Sequence, residues 1–217
     1  GNFVSTKGSA AASSDGGAIA CDLAAPTNLV LQCTFSGNAA TRGSAIFNQR
    51  GPLTLLHSTL CDNVALVGSR LDPMAAALYH DGFNANDVLT IGHTLVARNF
   101  FGGINYYSRS GADHRSLGYN LSDDGSFNSL FRASDIVTTD ARLGPLADNG
   151  GPTLTHALFP GSPAIDAGMD QSRFTFESVV TNDVRGPGFP RLVGRAVDIG
   201  AFEYAPSTAA PSFVAAE

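Results

Sequence analysis

An all-β chain folded as a parallel β-helix, a solenoid of short strands closed by a C-terminal cap, is the architecture this sequence predicts. Three observations carry the prediction. Residues 28–38 (NLVLQCTFSGN), 53–63 (LTLLHSTLCDN) and 89–99 (LTIGHTLVARN) align as eleven-residue blocks without a gap, each ending on asparagine. Counting Gly1-Asn2, which matches Gly37-Asn38, the terminal asparagines are spaced 36, 25 and 36 residues apart. Recurrence at about 20 to 50 residues marks units that bury their apolar faces only against their neighbours. Finally, Gly makes up 24 of 217 residues while charged residues are only 15 %, which favours tight turns over long surface helices.

Each block justifies two strands and a corner. Positions 1 and 3 (Leu53 and Leu55, Leu89 and Ile91) and positions 6 and 8 (Cys33 and Phe35, Ser58 and Leu60, Thr94 and Val96) are apolar or small, with Asn28 the exception. Within each pair the period is two, as in a strand, but the step from 3 to 6 is odd. A corner must therefore rotate the chain between them. A third short strand precedes each block, because Gly16-Gly-Ala-Ile19, Gly43-Ser-Ala-Ile46 and Ala76-Ala-Leu-Tyr-His80 recur in the same order. Asn38, Asn63 and Asn99 then read as turn residues, since Asn tolerates left-handed backbone, and their stacked amides are expected to bond in a ladder. The opening Gly1-Asn2 reads as the end of a further block, with any export signal upstream.

Residues 1–120 are thus assigned to β-helix coils, 121–204 to closing coils and a C-terminal cap over the exposed sheet edges, and 205–217, rich in Ala, Pro and Ser, to a linker or tail. The longest loops fall at 67–74 and 100–115. The second, FFGGINYYSRSGADHR, gathers Phe100, Phe101, Tyr106, Tyr107, Arg109, His114 and Arg115. Two readings stand for Tyr106, Tyr107, Arg109 and His114: a sugar-stacking or protein-contact surface, or a loop packing its aromatics on the solenoid.

Composition excludes some classes. The net charge of −6, pI near 5.2 and only 13 Lys and Arg argue against nucleic-acid partners. No apolar run reaches the ~18 residues of a membrane span. Cys21, Cys33 and Cys61 form no CxxC pair and no metal-ligand spacing with the histidines. For Cys33, a small buried side chain or a disulfide with Cys21 are both open.

The residues also carry a resemblance. GGAI with CTFSGN, and GSAIFN with STLCDN, resemble the repeats of polymorphic-outer-membrane-protein-like, right-handed parallel β-helix proteins of bacteria. GYNLSDDGSF, LGPLADNGGPTLTHAL, PGSPAIDAG, DVRG and VDIGAFE resemble the C-terminal region of choice-of-anchor Q domain proteins. This resemblance implies an exported or cell-surface protein, structural or adhesive, without an assigned activity.

Chemistry is sought where carboxylates or a base with Arg line up on one stacked face, as in β-helix lyases and hydrolases. His57 and His93 share block position 5 with Gln32 and are expected to stack outward, with His80, Asp81 and Arg98 on adjacent coils. In the terminal region, Asp183, Arg185, Arg191 and Asp198 are expected to form salt bridges under the cap. Asp166, Asp183 and Asp198 offer the carboxylates a Ca²⁺ ion would take, while no EF-hand or nonapeptide calcium pattern is present. The leading functional expectation is a non-enzymatic surface protein that pairs with itself end to end. The alternative is a carbohydrate-active β-helix enzyme or a module binding surface polysaccharide.

Overall fold

The computed structural model describes residues 16–21, 28–66, 76–82, 84, 86–99, 104–109, 112–169 and 180–206. They are nearly all β, with parallel sheets, and no helix among them is long and apolar enough to cross a membrane. The opening Gly1-Asn2, the loop at 67–74, Phe100, Phe101 and the tail beyond 206 lie outside the described residues.

The chain is built unit by unit. The first unit holds β1 (Ile19–Cys21), β2 (Asn28–Leu31), β3 (Thr34–Ser36) and β4 (Ala39–Ala40), and the second β5 (Ile46–Asn48), β6 (Leu53–Leu56), β7 (Thr59–Cys61) and β8 (Val64–Ala65). The third holds β9 (Ala76–His80), β10 (Val88–Gly92) and β11 (Leu95–Ala97), and the fourth β12 (Ile104–Ser108), β13 (Asp113–Gly118) and β14 (Leu121–Ser122). A short 3₁₀ turn (Gly125–Phe127), β15 (Ile136–Val137) and an antiparallel pair, β16 (Leu143–Ala147) with β17 (Thr155–Leu158), follow.

Equivalent strands of successive units pair in parallel, giving three long sheets ordered β1-β5-β9-β12, β2-β6-β10-β13 and β3-β7-β11-β14-β15, and a short fourth, β4-β8. The register is that of the sequence blocks: Asn28, Leu53 and Leu89 are mutual partners, as are Thr34, Thr59 and Leu95. Leu53, Leu55, Leu60, Leu89, Ile91 and Val96 fill the core between the sheets.

The corners have a clear backbone signature. Position 5 takes left-handed φ in every block, at Gln32 (51°), His57 (47°) and His93 (49°), and Tyr119 (58°) follows suit in the fourth unit. This is the rotation between positions 3 and 6. At the second corner the left-handed residue is not the asparagine but the one before it: Gly37 (69°), Asp62 (58°) and Arg98 (53°). Asn38, Asn63 and Asn99 keep negative φ and act through their amides.

Two layers cover the sheets, one at the end of the core and one along an outer face. The end of the core is closed by the 3₁₀ turn, where Phe127 stacks on Tyr106 (centroids 4.6 Å) and Phe131 on Phe127 (5.1 Å). Residues 141–169 and 180–204 run along the outer face of β7, β11 and β14. Leu143, Leu158, Ala164, Ile199 and Phe202 bury Cys61, Leu95, Ala97 and Leu121 from outside. The close approach is made possible by glycine: at Gly200 (φ +109°) a Cβ would lie 2.8 Å from Thr59 Oγ1 and 3.3 Å from Leu95 Cβ. None of the three cysteines is in a disulfide, which removes the Cys21–Cys33 disulfide reading.

Candidate functional site

The asparagine row is a continuous series of amide bonds. Asn38 Nδ2 donates to Asn63 Oδ1 (2.9 Å) and Asn63 Nδ2 to Asn99 Oδ1 (3.0 Å), and Asn99 Nδ2 passes to Asn105 Oδ1 (2.8 Å). Asn105, unmarked in the sequence, extends the row because its amide also reaches Val96 O, Ser122 Oγ and Asp123.

His57 and His93 are not the outward polar pair the sequence suggests. Their rings lie tilted against each other at 4.7 Å and His93 stacks on Tyr119 at 5.1 Å, but residues 168–169 and 191–200 cover them, leaving His57 5 % and His93 0 % exposed. Arg191 Nη2 contacts His57 Nδ1 (3.1 Å) and Met169 N donates to His93 Nε2 (2.9 Å). Both imidazoles thus serve as neutral acceptors. Burial, then the Arg191 charge, pulls their pKa values down to about 2 for His57 and about 3 for His93.

His80, Asp81 and Arg98 are not brought to this row. His80 is fully buried at the end of β9, held by Asn48 Nδ2 on one nitrogen (3.0 Å) and by Asp87 O and Asp113 O on the other. Asp81, also buried, pairs with Arg109 Nε at 2.9 Å. Arg98 grips Asp62 through Nε and Nη2 (3.1 and 2.9 Å) and reaches Leu143 O and Gly144 O. Cys61, Asp62 and His156 are the one set of three among the described residues whose donor atoms lie within 4.8 Å of one another. The Arg98 guanidinium already supplies the positive charge there, and burial pushes the Cys61 thiol up to about 12, so a thiolate ligand is disfavoured.

Under residues 180–204 one of the expected bridges forms and the one between Arg191 and the Asp198 carboxylate does not. Arg185 does pair with Asp183 (2.6 Å), its guanidinium lying between the Phe189 and Phe202 rings at 4.1 and 3.9 Å. Arg191, with no exposed surface, reaches Asp198 only through its carbonyl (2.7 Å), and Gly200 O at 2.8 Å. The Asp198 carboxylate is taken by the amides of Asp166 and Tyr204, so the nearest carboxylate to Arg191 is Glu203, 3.9 Å away. Asp166 in turn accepts from Arg195 N and Ala196 N. Asp166, Asp183 and Asp198 therefore do not form a converging calcium set: each carboxylate is held by amides or a guanidinium.

These buried groups set a pH profile. The two histidines stay neutral in the fold but gain protons below pH ~6.5 when unfolded, so stability falls as pH drops from ~6.5 towards 3. His80 and His156, also lowered by burial, add the same sign. Glu203 acts oppositely: burial, then Asp198, raises its pKa to about 8 from 4.5, so its contribution is full below 4.5 and is lost as pH rises through 8. Urea midpoints measured from about pH 4 to 9 should peak near 6.5, and the His57→Gln, His93→Gln double variant should flatten the acid limb by up to about 1.4 kcal/mol per pH unit for each histidine. An unchanged acid limb would refute the assignment.

Tyr106, Tyr107, Arg109 and His114, by contrast, share one cleft. It lies where β12 ends its sheet, is about 330 Å³ in volume, and is closed on the far side by Ser126 and Ser129. Asp124 and Ser126 tie this wall to the strand, accepting from Asn105 N (2.8 Å) and Tyr106 N (2.9 Å). Nothing in the sequence marks Ser126 or Ser129 except their place in the DDGSFNS turn. Comparison of the chain with known protein families, curated proteins and solved structures finds no match.

Proposed function

We propose that this chain is a right-handed parallel β-helix of the choice-of-anchor Q type, exported or displayed on a bacterial surface, with a non-enzymatic structural or adhesive role. The single observation that carries the role is the fate of the catalytic candidates. His57, His93, His80 and Asp81 are buried and hydrogen-bonded or ion-paired, and Arg98 is locked on Asp62, so none offers an open acid or base to a polysaccharide. The solenoid reading is supported by matched registers and by left-handed corners recurring at one block position. Crossovers between parallel strands are right-handed in about 98 % of cases. With an acidic chain and few cations, nucleic acid is not the partner.

For end-to-end pairing of copies, the support is that β1, β2 and β3 each have a strand neighbour on one side only among the described residues. Light scattering and electron microscopy of the isolated chain should reveal head-to-tail assemblies. A strictly monomeric species across the micromolar range removes the assembly part, and release of sugar fragments from a polysaccharide panel removes the non-enzymatic part.

A further inference from the structure

We infer that the cleft at β12 binds one neutral pyranose ring, the terminal sugar of a glycan. This goes beyond the structural role above and holds whether or not copies assemble. The volume, about 330 Å³, sits at the lower end of the ~300–1,000 Å³ of small-molecule sites, which suits a single ring.

The lining sets the chemistry. The Tyr106 hydroxyl and His114 Nδ1 are both buried and neither has a hydrogen-bond partner. A neutral phenol and an imidazole nitrogen both pair well with hydroxyl groups, which donate and accept. The Ser129 hydroxyl, on the exposed wall, is of the same kind. Between these polar points lie apolar surfaces: Ile104, Ala112 and the ring of Tyr107, which packs tilted against Tyr79 at 5.1 Å. A ligand carrying hydroxyls around its edge and a C–H face in its middle matches both, and a pyranose has that form.

Charge selects among such rings. The cation lining the cleft, Arg109, is paired with the buried Asp81 at 2.9 Å, and Asp124 lies behind Ser126. The other titratable groups in the lining are His114 and the phenols of Tyr106 and Tyr107. With no excess of positive charge, a uronate or a phosphate gains little, and a neutral sugar is favoured.

Saturation-transfer and amide-shift NMR with methyl glucopyranoside, galactopyranoside and mannopyranoside should show saturable binding to at least one, with Kd on the order of 1 mM as befits a single ring. Glucuronate should bind more weakly. Ser129→Trp, which fills the cleft from an exposed position, and His114→Ala should each weaken binding about tenfold while far-UV circular dichroism and the melting temperature stay unchanged for Ser129→Trp. Absence of binding to all three pyranosides at about 50 mM, binding that survives Ser129→Trp, or preference for glucuronate or for an extended peptide would each overturn the proposal.

Discussion

Arg191→Met should lower the stability of the chain by about 3–5 kcal/mol, the usual cost of removing one partner from a buried, hydrogen-bonded charge network. Arg191 Nη2 alone serves Asp198 O, Gly200 O and His57 Nδ1. Methionine fills similar space but leaves both carbonyls and the imidazole without their donor in a region with no water access. The loss should appear as a melting temperature lowered by roughly 10 °C, given about 2–4 °C per kcal/mol for a chain of this size. Amide exchange should locate it, because Gly200 N and Ala201 N are bonded to His93 O and Thr59 Oγ1. Those two amides should lose protection before the Asn63 amide does. A change below about 1 kcal/mol would mean that Arg191 packs rather than pins the segment.

The second large effect is expected at Asn63. Its Oδ1 accepts from Asn38 N and Nδ2, and its Nδ2 donates to Phe35 O, Cys61 O and Asn99 Oδ1. Asn63→Ala leaves the Asn38 amide and two carbonyls unsatisfied in a site with no exposure. At about 1 kcal/mol for each lost bond, more where a buried group is stranded, the cost comes to about 3 kcal/mol. Asn38→Ala, at the first position of the row among the described residues and slightly exposed, should cost less, about 1 kcal/mol. Chemical denaturation of the two variants checks the ordering, and equal losses would show that the row contributes no more at its centre than at its end.

How much of this could be read from the sequence follows from range. Blocks 28–38, 53–63 and 89–99 repeat at 25 and 36 residues, so register, core positions and a corner between positions 3 and 6 were legible as local periodicity. Phe35, Leu60 and Val96 needed no knowledge of the rest of the chain. The outward positions did. His57 meets Arg191 at a separation of 134 residues, and Ser36 meets His156 at 120, contacts that leave no periodic trace. A strand position is polar-facing only if nothing else packs on it, and the terminal motifs, dense in Gly and Pro, gave no hint of which face they would cover. The cleft was half legible. Tyr106, Tyr107, Arg109 and His114 cluster in sequence, whereas its serine wall comes from a turn whose role is set by the Asp124 and Ser126 bonds to β12.

The segment lying along the third sheet also behaves as a ruler. It touches the first unit through the His156–Ser36 contact, the second through Thr59 and Cys61, the third through Leu95 and Ala97 and the fourth through Leu121. A row of repeats that contact only their neighbours gains or loses a member at little cost and unfolds piecemeal. Here residues of one segment reach all four described units, so the units are not tied to their neighbours alone. Inserting or deleting a rung among these four would leave apolar surface bare or the segment overhanging, which couples the four units to one another.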